Sequence, residues 1–190
     1  MSTIQISRSV ADVAPANEPI ALSEAKIILD IAQSVDTHDA EVLRSIVSAR
    51  EQFEKDTQRL TVSRTIVEKL DTFPDDDWRF YFRPVVSLTS ITYFDTANAS
   101  QTLSASIYSL DAPNRKIMLA VDQVYPSQES RWDAVTISYV AGQTLVSELA
   151  KQAMLCLVKI FFSDMDDGAV MKHERAYHDL MQRFMRSSYP

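Results

Sequence analysis

Glycine is nearly missing from this chain. Its 190 residues contain two, Gly142 and Gly168. That excludes the glycine-rich loops that cradle phosphate, both the Walker type and G-x-G-x-x-G. Cysteine occurs once, at Cys156, so one chain can build neither a disulfide framework nor a zinc set, and an intracellular origin is expected. Positive charge is also short. Nineteen Lys and Arg face 26 Asp and Glu, for a net charge of −7, which argues against a broad basic surface gripping nucleic acid. No stretch approaches the roughly 20 apolar residues of a membrane span. The first residues lack the basic start and apolar run of a signal peptide. No serine sits in a G-x-S-x-G elbow.

The stretch Thr144–Asp164 is strongly apolar. Wound at about 100° per residue, it leaves only Glu148, Gln152, Lys159 and Ser163 as a narrow polar face. Leu155 and Phe162 lie on a far flank, past Lys151. Such a helix needs cover on two sides. Either it is the middle helix of a bundle, or its second flank meets another subunit. Leu155 and Phe162 are the candidate subunit-interface residues.

Residues 1–19 are polar and small and read as a mobile arm. Residues 20–60 carry two helical patterns. The first runs from Ala21 to about Ala32, with Ser23 as expected N-cap. The second runs from Asp36 or Thr37 to about Thr57, with Val42, Ile46, Ala49 and Phe53 on one side. The period then switches to alternation over 61–142. Strands are expected at Ser63–Leu70, Trp78–Phe82, Val86–Asp95, Gln101–Leu103, Ile107–Leu110, Lys116–Ala120 and Trp132–Val140. Within Val86–Asp95, Leu88 and then Ile91 and Tyr93 are expected inward, after a change of register. Residues 143–168 return to helix. Residues 169–190 hold a last one, with Val170, Tyr177, Leu180, Met181, Phe184 and Met185 as its apolar side. The expected fold class is α+β: a bundle of three to four helices with an antiparallel β subdomain inserted between the second and third long helices.

Candidate chemical sites are sparse. Asp164, Asp166 and Asp167 precede Gly168, but an EF-hand needs glycine at position six and Glu at twelve. Counted from Asp164 those places hold Ala169 and Arg175. Asp75–Asp77 reads as a solvated turn. His173 and His178 are five apart, against the four-residue gap that puts zinc ligands on one helix face. The aromatics Trp78, Phe80, Tyr81 and Phe82 beside Arg79 and Arg83 suit either base stacking or a β core, and the acidic charge favours the core. The methionines Met171, Met181 and Met185 suit core filling and an adaptable binding surface equally. No catalytic constellation, metal set or cofactor site is expected.

Several stretches together resemble a known family. They are A-L-S-E-A-K, the D-A-E-V-L-R-S-I-V-S-A-R-E helix leading into T-V-S-R-T, then R-P-V-V-S-L-T-S-I-T-Y-F-D, Y-S-L-D-A-P-N-R-K-I-M-L, and V-T-I-S-Y-V-A-G before the apolar helix. Their order resembles the head–tail connector (adaptor) proteins of tailed bacteriophages and gene transfer agents. The match spans Ile20–Asp164, and no single motif in it is specific. The resemblance implies a non-enzymatic virion protein made in the host bacterial cytoplasm. Its expected place is the neck, in a homo-oligomeric ring, a dodecamer, beneath the portal protein. The next connector or tail component is the other expected partner. DNA passes through the lumen without sequence-specific binding, and no membrane is involved. The C-terminal segment, with Phe184, Met185 and Tyr189, is the candidate portal-docking element. The rival readings are a standalone module binding protein or single-stranded nucleic acid, and an aspartate-dependent hydrolase.

Overall fold

The computed structural model describes residues 8–74, 77–112, 115–143, 145–162 and 167–187. The chain divides into two units. A helical unit combines Pro15–Val62 with Gln143–Pro190, and a β unit combines Met1–Ala14 with Ser63–Gly142. The architecture is α+β, with four helices and two antiparallel sheets. Sequence position puts most of the β unit between the second and third helices, as the change of period implied.

The helical unit holds α1 (Leu22–Ile28), α2 (Asp39–Thr57), α3 (Glu148–Phe162) and α4 (Asp167–Ser187). α1, α2 and α4 all pack against α3 and cover much of its apolar girth, leaving Phe161 exposed and Leu155 and Phe162 half-buried. Ala150, Ala153, Met154, Leu157 and Val158 are buried there, against Val42, Ile46, Ala49 and Phe53 of α2 and Tyr177 and Phe184 of α4. Each large side chain so buried contributes roughly 1.5–3 kcal/mol. Polar anchors surround this core. The Arg50 guanidinium bonds Glu18 at 2.8 Å and Glu54 at 3.2 Å. Glu54 also accepts from the backbone N–H and hydroxyl of Thr61. The buried Lys26 ammonium donates to the Val35 carbonyl at 2.7 Å and lies 2.5 Å from Asp39, pinning the α1–α2 linker.

Two expectations need correction here. Ser23 does not cap α1. Ala21 stands at the N-cap, and Glu24 reaches back to accept its N–H at 2.9 Å. That bond, with Lys151 assisting against partial burial, holds the Glu24 carboxyl below its ordinary value. The arm expected over 1–19 is structured where it is described. Arg8–Asp12 form a strand, Glu18 is tied to Arg50, and Ile20 is in the core. A polar strand can be held by backbone ladder bonds alone, and composition does not reveal that.

The β unit holds β1 (Arg8–Asp12), β2 (Arg64–Leu70), β3 (Asp77–Arg79), β4 (Val85–Phe94), β5 (Ser100–Thr102), β6 (Tyr108–Asp111), β7 (Lys116–Leu119) and β8 (Val135–Ala141). One sheet runs β1-β2-β8-β4-β5 and the other β3-β7-β6. In β2 and β8 alternate residues are buried, and Ile66, Leu70, Val135, Ile137 and Tyr139 face inward. β4 shifts register twice against β8, between Val85 and Ser87 and between Leu88 and Ser90. Ile91 is buried after the shift, while Leu88 and Tyr93 are half-buried. The β4–β5 hairpin turns on Asp95, whose carboxyl accepts from the Ala97 and Ala99 backbone and from Gln101. Asn98 takes the left-handed region there, at φ 59°.

Glu68 ties the two sheets together. It is fully buried on β2 and accepts from Trp78 Nε1 on β3 at 3.1 Å, from the Tyr81 backbone at 2.8 Å and from the Tyr139 hydroxyl of β8 at 2.5 Å. This explains why β3 ends before Phe82. Past Arg79 the Tyr81 and Phe82 amides donate to the side chains of Glu68 and Tyr139 rather than to a strand. Phe80 fills the interior against the Tyr139 ring, centroids 4.4 Å apart. Of the four aromatics Phe80 is core, while Trp78, Tyr81 and Phe82 are half-buried, and the Tyr81 and Phe82 rings meet edge-on rather than forming a common stacking face.

Candidate functional site

With no catalytic set in the sequence, candidate sites are surfaces. Leu155 and Phe162 both lie on α3 and are half-buried, packed against the edge of the helical core. Phe162 meets the His38 ring edge-on, centroids 6.3 Å apart. Leu155 opens into a cleft of about 270 Å³ that Ile28 of α1, Gln152, Cys156 and Lys159 of α3, and His173 and Leu180 of α4 also line. Helical spacing aligns Gln152, Leu155, Cys156 and Lys159 along this side of α3.

The cleft is mostly apolar, and Lys159 is the one lysine among its lining residues. Burial lowers the His173 pKa, and the charges of Lys159 and Lys172 lower it further. Burial raises the Cys156 thiol against the opposing pull of Lys159. Among the described residues, neither Lys159 nor Lys172 has a carboxylate partner. His178 is exposed on α4 and lies beside Tyr177. No group of three or more His, Cys, Asp or Glu among the described residues could hold a metal.

The expected docking residues at the C-terminus separate. Phe184 is 3% exposed, 5.2 Å from the Phe53 ring, with the Arg59 guanidinium 5.6 Å away. It belongs to the chain's own core, which corrects the expectation that it is reserved for a partner. The same stripe of side chains serves a helix that docks internally and one that docks externally, so periodicity could not tell them apart. Leu180 and Met181 pack on this core too, and Tyr177 donates to Asp56 at 2.6 Å. Burial, then this bond, then the Asp56 charge push the Tyr177 phenol far above its ordinary value. Met185 is half-buried. Tyr189 lies outside the described residues, as do Asp75, Asp76, Asp164 and Asp166.

The β unit shows a second surface, which the sequence reading passed over. Val121, Val124 and Trp132 are 87%, 79% and 86% exposed. A shallow depression beside Trp132 is lined by Thr96, Ala97, Asn98, Glu129 and Arg131. Arg131 stacks over Phe94 at 4.1 Å and donates to Asn98 at 2.9 Å. Trp132 stood at the start of an expected strand, and alternation gave no sign that it would lie outside it.

No family model matches the chain, and no curated protein matches it. Solved structures do match. A chain from the neck of an empty gene transfer agent particle, computed with C6 symmetry, has a TM-score of 0.69 at 16% identity, covering 89% of this chain and 94% of that one. The fold is that of a gene transfer agent neck chain. A chain from the virion of a native gene transfer agent particle gives 0.69 at 17% identity, over 95% of this chain and 94% of that one. A chain from the native neck, computed with C12 symmetry, gives 0.65 at 17% identity, over 89% and 94%. The shared neck-chain fold includes the helical unit and the β unit alike, since so little of either chain is left uncovered.

Proposed function

We propose that this chain is a structural neck protein of a phage-like particle, acting as a head–tail connector (adaptor) subunit rather than as an enzyme. The observation that carries this reading is a fold shared over nearly the whole chain with chains of gene transfer agent particles, two of them from necks. Those necks were computed with C6 and C12 symmetry, which supports a ring and, for this chain, a dodecamer. The proposed partners are the portal on one side and the next connector or tail component on the other. A net charge of −7 suits a channel through which duplex DNA slides without being held. Portal docking falls to the residues after Phe184, beginning with Met185 and including Tyr189. Leu155 and Phe162 remain the proposed subunit contacts. The single-stranded nucleic-acid reading loses its main support, because Phe80 is buried and Trp78 is tied to Glu68.

Imaging of particles carrying a labelled copy of the chain tests this. The expected result is a twelve-fold collar between portal and tail, with tailless heads when the gene is deleted. Finding the chain only inside the tail tube, or only in a soluble complex, would sink the proposal.

A further inference from the structure

We infer that the Val121–Val124 turn of one copy seats in the cleft beside Leu155 and Leu180 of the next copy. Asp122 then faces the Lys159 ammonium, which lines that cleft. This rests on the ring reading and names the contact that would build it.

The receptor side is the α1/α3/α4 cleft. Its volume of about 270 Å³ falls below the roughly 300–1,000 Å³ of small-molecule sites, and suits a side-chain plug. One lysine among the lining residues is too little charge, and the floor too apolar, for a nucleic-acid track. Yet Lys159 stands without a carboxylate partner among the described residues, in a chain that is acidic overall. The plug side is the turn after β7. The Gln123 N–H closes it on the Ala120 carbonyl at 3.1 Å, and Asp122 takes a left-handed φ of 59°. Val121 and Val124 are both largely exposed on either side of that carboxylate. An apolar pair flanking one acid complements an apolar floor flanked by one lysine.

A second copy is the occupant that the charges favour. Copies of net charge −7 repel one another, so contact is easiest where local charges are opposite. Plug and receptor are also different patches of one chain. Such a heterologous contact propagates head to tail and closes into a ring when its rotation allows.

The single cysteine makes the contact testable. Val121→Cys in the full chain supplies one new thiol, and Cys156 at the cleft supplies the other. A disulfide forms only where Cα atoms come within about 4.4–6.8 Å. Mild oxidation of the assembled protein at alkaline pH should give a covalent ladder extending past the dimer. Val121→Cys combined with Cys156→Ala should give none. In parallel, Asp122→Lys should weaken assembly by about tenfold or more, and adding Lys159→Glu should restore it. Rings that show neither the ladder nor the rescue overturn this contact and leave the ring reading standing. A dimer that persists without Cys156 shows the turn pairing with itself, and also overturns it. Particles whose collar lacks this chain overturn both readings.

Discussion

The two units solve the same burial problem with different chemistry. The helical unit closes over apolar side chains contributed by four helices, with its polar anchors, Arg50, Glu54 and Lys26, set around the cluster. The β unit places a carboxyl group, Glu68, where its two sheets meet and lets three donors converge on it. Apolar contact is forgiving of shape as long as volume and pattern are kept. A buried acceptor with several donors is not, because each donor has already lost its water. The helical unit should therefore tolerate exchange within its core, and the β unit should not tolerate it at its hub.

The harshest test is Glu68→Ala. Trp78, Tyr81 and Tyr139 each lose this acceptor, at about 1–3 kcal/mol apiece. A total loss of about 3–5 kcal/mol is expected, read by urea unfolding followed through tryptophan fluorescence. A cost under 1 kcal/mol would show that Glu68 is not the organising group. A finer test compares two near-isosteric swaps. Glu68→Gln keeps the shape but, with its oxygen toward Tyr81 and Tyr139, brings an NH₂ group against the Trp78 indole N–H, and should cost about 1.5–3 kcal/mol. Met154→Leu in the helical core should cost less than about 1.5 kcal/mol. Equal costs would erase the contrast between the units. The smallest effect concerns pH and only the helical unit. His173 has a lowered pKa in the folded chain, so the unfolded chain takes up its proton first. Stability should fall as pH drops from about 6.5 through the depressed folded value, because the unfolded state binds more protons there. His173→Gln should flatten that part of a melting-temperature profile, and an unchanged slope would remove His173 as its cause.

Where a pattern was regular, the sequence was a good guide. The stripe of α2, the girth of α3, the alternation of β2 and β8 and the register shift in β4 all follow from spacing that packing then uses. Four things were not legible, for separable reasons. β1 has no apolar alternation to announce it, because ladder bonds to β2 hold it. The early end of β3 depends on Glu68 and Tyr139, which are distant in sequence. Phe184 looks the same whether its stripe meets Phe53 or another protein. The cleft needs Ile28, Leu155 and His173 from three helices, and no local window contains them. Surface sites assembled from distant segments are the least visible part of a sequence, and here they are the part that bears on function.

The helical unit is written in two halves, with Ser63–Gly142 between them. During synthesis this becomes a matter of timing. At about 5–20 residues per second, the roughly 80 intervening residues keep α2 waiting about 4–16 s for α3. Val42, Ile46, Ala49 and Phe53 spend that interval as an unmatched apolar face on a nascent chain. The β strands that follow can pair among themselves in the meantime, whereas the helices cannot close until α3 and α4 have emerged. A ribosome-bound chaperone would meet this protein at α1 and α2, and a translational pause after Gly142 would lengthen the exposure of the faces they keep for α3.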